Sequence, residues 1–254
     1  MEELRELLTG FLQPYLSGPL RDGKPWTILT WAQSLDAKIA PSTRLPMALS
    51  SLETKYMTHL IRREVDAILI GAGTAVTDNP SLNGKYRLDD QPIDWVLARY
   101  PVYGLEGDWK AVTLEEQPRP VIIDPHCRAH VPNLLQLVSL GHAKSPWILC
   151  REGMEGPNDR YIPMKGESER FRWSDILATL AARGIESLMI EGGAHVISDV
   201  LSAGIADVVI ITIAPVFLGR DAVAITPSLE AEWLHDVRSI SVARDIAVAG
   251  RFRR

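Results

Sequence analysis

Two glycine-containing segments, each directly after an apolar run, are the parts of this chain best suited to bind a ligand. GAGT at 71–74 leads into DNP at 78–80, and EGGAH spans 191–195. Glycine lets a backbone approach a phosphate closely, and backbone amides at a helix start can bind it. The alternative is a tight turn needed for helix–sheet packing, with the DNP residues making turn hydrogen bonds. The residues alone leave both interpretations open.

Other polar residues at predicted strand ends are weaker candidates. Asp36 follows the first predicted strand, and we expect it to cap the next turn rather than to face a ligand. His126, Cys127 and His130 supply at most three metal ligands in five residues, without CxxC or HExxH, so we predict no metal site. No GxSxG motif is present, and Cys150 ends an apolar run typical of a core strand.

Strand-like and helix-like segments alternate through most of the chain. The helices are predicted from apolar residues at helical spacing and the strands from short β-branched runs. The first helix has Leu4, Leu7, Leu8, Phe11 and Leu12 on one face and is expected to end by Pro14 and Gly18. Further helices are predicted over 51–64, 173–183 and 196–203, and strands over 26–32, 66–71, 119–124, 146–150, 186–190 and 207–213, with an edge strand or hairpin over 239–253.

This alternation predicts a single α/β domain over 1–254, with a mostly parallel central sheet, helices on both faces and antiparallel strands at the end. In such sheets ligands bind outside the carboxyl ends of the strands, where both glycine segments are expected to lie. An irregular excursion is predicted at about 85–118, where Gly, Pro and charged residues are scattered without periodicity.

Composition excludes several classes of protein. The chain has 254 residues with 27 Lys and Arg against 32 Asp and Glu, so its net charge of −5 makes it a poor binder of nucleic acid. It has 2 cysteines, too few for a disulfide framework. No run approaches the length of a membrane-spanning helix and the first residues lack a signal-peptide pattern, so we expect a cytoplasmic protein that does not bind membranes.

Four ordered segments together resemble one family. They are LTWAQSLDAKIA at 29–40, the block ALSSLETKYMTHLIRREVDAILIGAGTAVTDNPSLN at 48–83, RPVIIDPHCR at 119–128, and LMIEGGAHVISDVLSAGIADVVIITIAPVFLG at 188–219. The family is the reductases of riboflavin biosynthesis of the RibD C-terminal-domain type. The segments AQSLD and ETKYMTH are most similar to its stand-alone fungal members.

This resemblance implies a dihydrofolate-reductase-like three-layer fold, a homodimer, and NADPH as cofactor. The implied reaction reduces the ribosylamino group of a diaminopyrimidine ribose 5′-phosphate, a small molecule, to ribitylamino. By position, the resemblance implies cofactor binding by Gly73, Thr74, Asp78, Glu191, Gly192, Gly193 and Ala194, and substrate binding by Ser50, Arg62 and Lys85. Arg62 would contact the substrate phosphate, and Asp78 would orient the sugar or pass a proton to its ring oxygen.

Three departures from the family pattern lie on the substrate side. Lys85 stands where the family usually has an arginine, Ser51 stands where it usually has glycine, and 88–109 does not resemble the pattern. Lysine keeps the charge of arginine but lacks its two-pronged geometry. These departures favour one alternative, a reductase of the same fold that acts on another C=N or C=O substrate. A non-catalytic binding protein is a second alternative.

Overall fold

The structure is a computed structural model that describes residues 2–19, 23–43, 47–84, 113–154, 156, 158–165 and 170–253. Most of the predicted excursion, 85–112, therefore lies outside the described residues, and with it Lys85. Elements below are numbered along this described part of the chain.

A nine-stranded sheet forms the centre of the molecule, in the order β10-β11-β8-β1-β7-β3-β4-β5-β6. The strands from β8 to β6 in this order pair in parallel, whereas β11 pairs antiparallel with both β8 and β10. A short pair, β2 with β9, lies apart from this sheet. The strands are β1 Trp26–Ser34, β2 Lys38–Ala40, β3 Ala67–Gly71, β4 Arg119–Ile123, β5 Trp147–Arg151, β6 Tyr161–Met164, β7 Ser187–Glu191, β8 Val208–Ala214, β9 Val223–Ala224, β10 Leu234–Val242 and β11 Asp245–Phe252.

Helices cover the two faces of the sheet and give the molecule three layers. On the first face, α1, α2, α3 and α4 bury apolar residues against strand residues such as Ile28, Ile68 and Met189. On the second face, α5 and α6 pack on Leu29 and Leu69. The helices are α1 Glu2–Leu16, α2 Leu52–Arg63, α3 Ala72–Asp78, α4 Pro132–Ser139, α5 Trp173–Ala181 and α6 Ala194–Ala203.

Neighbouring residues of one strand face opposite layers, which explains why the inner strands are continuously apolar. Ile68 belongs to the first core and Leu69 to the second, and both are fully buried. A parallel strand covered on both faces must be apolar at every position. The mostly parallel sheet, the antiparallel C-terminal strands and the three-layer arrangement expected for a dihydrofolate-reductase-like fold are confirmed.

Three predictions about helices need correction. Pro14 lies inside α1, which continues to Leu16. The Gly10 carbonyl, which Pro14 cannot bond, accepts from Arg238 Nη1 at 3.5 Å. Leu7, which we expected on the buried face, is 43% exposed. Residues 72–78, predicted as a turn from their glycines, form the helix α3 and bury Ala75 in the core. Within the DNP segment, Asn79 ends α3 in a left-handed conformation, so the turn begins after the helix.

Candidate functional site

A cleft of about 490 Å³ opens at the carboxyl ends of the central strands. The ends of β3 and β7, the cleft-facing side of α2 and the helix α3 form its walls, while β1 and β8 contribute its floor through Thr30 and Thr212. The two glycine segments meet here because β3 and β7 are neighbours in the parallel sheet, so their carboxyl ends share one edge.

In the first glycine segment, the two glycines have different surroundings. A Cβ at Gly71 would lie 2.8 Å from Val196 Cγ2, so the glycine is needed where β3 passes α6. A Cβ at Gly73 would meet nothing within 4 Å, and Gly73 is exposed. Thr74 and Asp78, one turn apart on α3, both line the cleft.

The second glycine segment connects β7 to α6. A Cβ at Gly192 would lie 2.6 Å from Val196 Cβ, whereas a Cβ at Gly193 would lie 3.1 Å from Thr74 Oγ1. The Gly193 amide donates a hydrogen bond to the Thr74 hydroxyl at 3.0 Å, which ties the two segments together. Gly193 caps α6 without a side-chain acceptor, so the first-turn amides of α6 are suited to an anion.

Two serines, Ser50 and Ser51, stand where a side chain could cap the start of α2. The structure assigns the cap to Ser51, whose hydroxyl accepts from the Thr54 amide at 3.3 Å. Asp245, at the turn of the C-terminal hairpin, accepts from the Ser51 amide at 2.7 Å and from Thr54 Oγ1 at 2.6 Å. Ser50 is released from the capping role and lines the cleft.

Arg62 and Glu191 form a two-pronged ion pair across the cleft wall. Arg62 Nε and Nη2 donate to Glu191 Oε1 and Oε2, each at 2.6 Å. The side chains are 12% and 19% exposed, so water screens the pair only weakly. The resemblance implies that Arg62 contacts the substrate phosphate, but its guanidinium here binds the carboxylate of Glu191. This ion pair connects α2 to the end of β7.

Asp78 is the cleft carboxylate with a perturbed proton affinity. It lies at the C-terminus of α3, and desolvation by the surrounding protein raises the pKa of its carboxyl above the ordinary value. The carbonyl end of a helix also disfavours a negative charge. Asp78 is therefore better suited to hold a proton than an aspartate with an ordinary pKa is.

Asp36 binds a loop that is distant in the chain, whereas we expected it to cap the turn directly after β1. Its carboxylate accepts from the amides of Leu218 at 3.0 Å and Gly219 at 2.8 Å, and from Ser34 Oγ at 2.5 Å. These hydrogen bonds, that of Ser34 foremost, lower the pKa of Asp36 to about 2. Asp36 thus holds the loop after β8 against the end of β1.

The segment with His126, Cys127 and His130 makes protein contacts. His126 Nδ1 lies 2.7 Å from Arg151 Nη2, and Cys127 Sγ lies 2.9 Å from the Met154 carbonyl oxygen. Across the ranges that the structure describes, no group of three His, Cys, Asp or Glu side chains could hold a metal ion.

The predicted site residues fall into three groups. Gly73 and Ala194 flank the cleft at the starts of α3 and α6. Lys85 lies outside the described residues. The others line the cleft together: Ser50, Arg62, Thr74, Asp78, Glu191, Gly192 and Gly193.

Sequence reasoning missed four polar residues of the cleft. Lys55 and Thr58 share the cleft-facing side of α2 with Arg62, and Thr30 and Thr212 lie on the sheet beneath. The spacing of 55, 58 and 62 places them on one helix face, a signal that the sequence contained. The two threonines carried no such signal, because their positions follow from strand register alone.

Comparison with known proteins agrees with this geometry. The RibD C-terminal domain family model matches residues 25–248. The chain belongs to that family. Among curated members, the 2,5-diamino-6-ribosylamino-4(3H)-pyrimidinone 5′-phosphate reductase of Kluyveromyces marxianus is 33% identical over 95% of this chain and 96% of its own length. The protein of the same name from Candida glabrata is also 33% identical, over 100% of both chains.

A solved structure extends the comparison for this RibD C-terminal domain protein. The riboflavin biosynthesis reductase of Saccharomyces cerevisiae matches with a TM-score of 0.74 and 27% identity, covering 97% of this chain and 99% of that one. Acinetobacter baumannii RibD shares the fold, with a TM-score of 0.66 and 21% identity over 91% of this chain and 59% of that one. Within the described ranges, no helix is both long and apolar enough to cross a membrane.

Proposed function

We propose that this chain is an NADPH-dependent reductase that converts the ribosylamino group of a diaminopyrimidine ribose 5′-phosphate to a ribitylamino group in riboflavin biosynthesis. The observation that carries the proposal is the single cleft in which both glycine segments, Asp78 and the Arg62–Glu191 pair meet. The family, and the names of relatives that are 33% identical over nearly their full length, support the same reaction.

The residues at the glycine segments fit a nicotinamide dinucleotide. The start of α6 at Gly193 offers amides without side-chain acceptors, which suits a pyrophosphate. Gly73 leaves open space where a side chain would stand. When bound, NADPH supplies the hydride. Gly73, Thr74, Asp78 and the residues 191–194 would hold it, with Glu191 oriented by Arg62.

The substrate would lie between these segments and α2. Hydride transfer needs no protein nucleophile; it needs the acceptor carbon held close to the hydride donor in a site that excludes water. Ser50, Arg62 and Lys85 are the proposed substrate residues. Arg62 acts at least in part by fixing Glu191. Asp78, with its raised pKa, would hold the proton that the ring oxygen takes when the sugar opens.

The Ser51 departure does not call for another substrate. Its hydroxyl and amide are occupied in capping α2 and in binding Asp245. A serine at this position is therefore explained by local structure. Of the three departures, Lys85 and 88–109 alone still favour a reductase with a different substrate.

A homodimer is a further part of the proposal. The sheet face at β8 and β11 opposite α1 carries paired apolar residues, with Val248 next to Ile211 and Ile246 next to Ile213. Ile246 is exposed and the other three are half-buried. A second copy of the chain would bury this face. Cys127 and Cys150 are not joined by a disulfide, which suits the reducing cytoplasm that we propose as its location.

The decisive experiment follows NADPH oxidation with the diaminopyrimidine ribosyl 5′-phosphate as substrate. We expect turnover of about 1 s⁻¹ or faster, and deuterium from 4-deuterated NADPH at C1′ of the product. Asp78→Asn should lower kcat about 100-fold, because the amide cannot supply the proton. Asp175→Asn, on the exposed side of α5, is the matched control. Tight NADPH binding without turnover by the wild-type protein would contradict the proposed substrate.

A further inference from the structure

The turn of the C-terminal hairpin reaches the wall of the cleft. Val242 of β10 pairs with Asp245 of β11, so the chain reverses through Ala243 and Arg244. The Arg244 side chain is 60% exposed, whereas that of Asp245 is fully buried. A buried carboxylate needs hydrogen bonds from the protein, and Asp245 receives them from the start of α2.

Asp245 takes the place of an acid that α2 lacks. In a capping box, a Glu or Gln at the third helical position binds the amide of the N-cap residue. In α2 that position is Thr54, which has no carboxylate, and the amide of the N-cap residue Ser51 donates to Asp245 Oδ2 at 2.7 Å instead. Thr54 Oγ1 donates to the same oxygen at 2.6 Å. The start of α2 is therefore completed by a side chain 194 residues away along the chain.

Arg244 and Asp245 together hold the peptide groups on both sides of Ser50. Before Ser50, the Leu49 carbonyl oxygen accepts from Arg244 Nη2 at 3.3 Å. After Ser50, the Ser51 amide donates to Asp245. Because peptide groups are planar, fixing the two that flank a Cα atom also fixes the direction of its side chain. Ser50 lines the cleft, and its hydroxyl forms no hydrogen bond with any described residue, so the hairpin orients a hydroxyl that a ligand can use.

We propose that Arg244 and Asp245 are positioning residues for the reaction and act through the Ser50 hydroxyl. This inference rests on the proposed function, in which Ser50 binds the substrate. Neither Arg244 nor Asp245 is among the residues that line the cleft, so their effect on the substrate passes through the backbone of 49–51. Arg244 Nε lies 3.7 Å from Asp245 Oδ1, an ion pair that holds the two side chains together.

The test is a double-mutant cycle between the hairpin and Ser50. Ser50→Ala and Asp245→Asn should each raise KM for the diaminopyrimidine ribosyl 5′-phosphate about 5- to 10-fold, because a binding hydroxyl is lost or displaced. The kcat should change less than about twofold. In the Ser50→Ala background, Asp245→Asn should raise KM less than about twofold further, since the group through which it acts is gone. A residue required only for folding would have the same effect in both backgrounds.

Arg244 offers a variant that leaves the fold intact. Its side chain is largely exposed, so Arg244→Ala should shift the melting temperature by less than about 2 °C. KM should rise about threefold or more, because the Leu49 carbonyl loses its donor. Arg244→Lys should recover most of the loss, since lysine can still donate. Arg238→Ala is the matched control, because Arg238 is exposed on the same hairpin and donates to the Gly10 carbonyl, away from the cleft.

A binding measurement separates this inference from the proposed reaction. Calorimetric titration of the same compound without NADPH needs no turnover. We expect Asp245→Asn to bind it about 5- to 10-fold more weakly than the wild-type protein does, and the effect to fall below about twofold when both proteins carry Ser50→Ala. If the wild-type protein does not oxidise NADPH but shows this pattern, the reaction is wrong and the positioning role stands.

Three results would overturn the inference. One is an equal rise in KM on Asp245→Asn with and without the Ser50 hydroxyl. Another is the same KM in Arg244→Ala and Arg238→Ala. The third is an absence of binding of the compound to the wild-type protein at millimolar concentration.

Discussion

The two glycine segments of the cleft have similar sequences but different reasons for their glycines. Gly71 and Gly192 both approach Val196, at 2.8 and 2.6 Å from where their Cβ atoms would lie. Gly73 faces open space, and Gly193 faces the Thr74 hydroxyl at 3.1 Å. In each segment, therefore, one glycine is required by helix–sheet packing and the other borders the cleft.

This difference shows that the two interpretations of a glycine turn are not exclusive. A single side chain, Val196 on α6, accounts for one glycine in each segment. Its position allows β3, β7 and α6 to approach closely, and that approach brings Gly193 within hydrogen-bond distance of Thr74. Gly71 and Gly192 allow the close packing that forms the cleft, whereas Gly73 and Gly193 leave its border free of side chains.

The largest effect is expected from a substitution on the cleft side. Gly193→Val places branched atoms against Thr74 Oγ1 and in front of the α6 amides. Affinity for NADPH should fall about 100-fold or more, equivalent to about 2.7 kcal/mol, by fluorescence titration. The far-UV circular dichroism should stay native. Gly10→Ala, in α1 and with open space around it, controls for a general effect of replacing a glycine. Unchanged NADPH affinity would remove the second glycine segment from the cofactor site.

A smaller effect, on stability, is expected on the packing side. Gly192→Ala forces a methyl group into Val196 and should lower the free energy of unfolding by about 1–3 kcal/mol in urea denaturation. Gly73→Ala should leave it unchanged or raise it by about 0.5–1 kcal/mol, since alanine favours a helix.

A double mutant sharpens that result. If Val196 is the obstacle, Gly192→Ala should cost less in a Val196→Ala background than in the wild type, so the two changes should not add. Additive losses in unfolding free energy would mean that Gly192 is required for a reason other than Val196.

The smallest effect is expected for Asp36, which holds the loop after β8 at the same edge of the sheet and has only a structural role. Asp36 has its pKa lowered from 3.8 to about 2, so its charged form stabilises the fold above pH 3.8 and this contribution is lost between pH 3.8 and 2. Asp36→Asn should flatten the fall of the melting temperature across that window. The difference between variant and wild type should shrink toward pH 2. A difference that stays constant from pH 6 to pH 2 would contradict this role.

Much of the fold followed from local patterns. The core strands were predicted within one or two residues because a strand buried on both faces is continuously apolar. The end of α6 followed from Gly204, which caps it in a left-handed conformation. The helix α3 was missed because Gly71 and Gly73 are typical of a turn, whereas the burial of Ala75 in the first core depends on tertiary packing.

The residues of the candidate site were predicted less completely than the strands of the sheet. Seven residues that line the cleft were predicted as site residues. The resemblance assigned Arg62 to a phosphate without its partner Glu191, which is 129 residues away along the chain. A pairing over that distance depends on where α2 and β7 lie in space. Lys55 was overlooked although its spacing from Arg62 was visible, because nothing local marked that helix face as the one toward the cleft.

The sequence by itself determined the α/β class, the family and the edge of the sheet where ligands bind, because apolar periodicity and ordered motifs are properties of neighbouring residues. The tertiary structure decided which glycines serve packing and which cation of the cleft is engaged by a carboxylate. Those outcomes depend on distances between elements far apart in the chain, and strand order and helix packing set these distances.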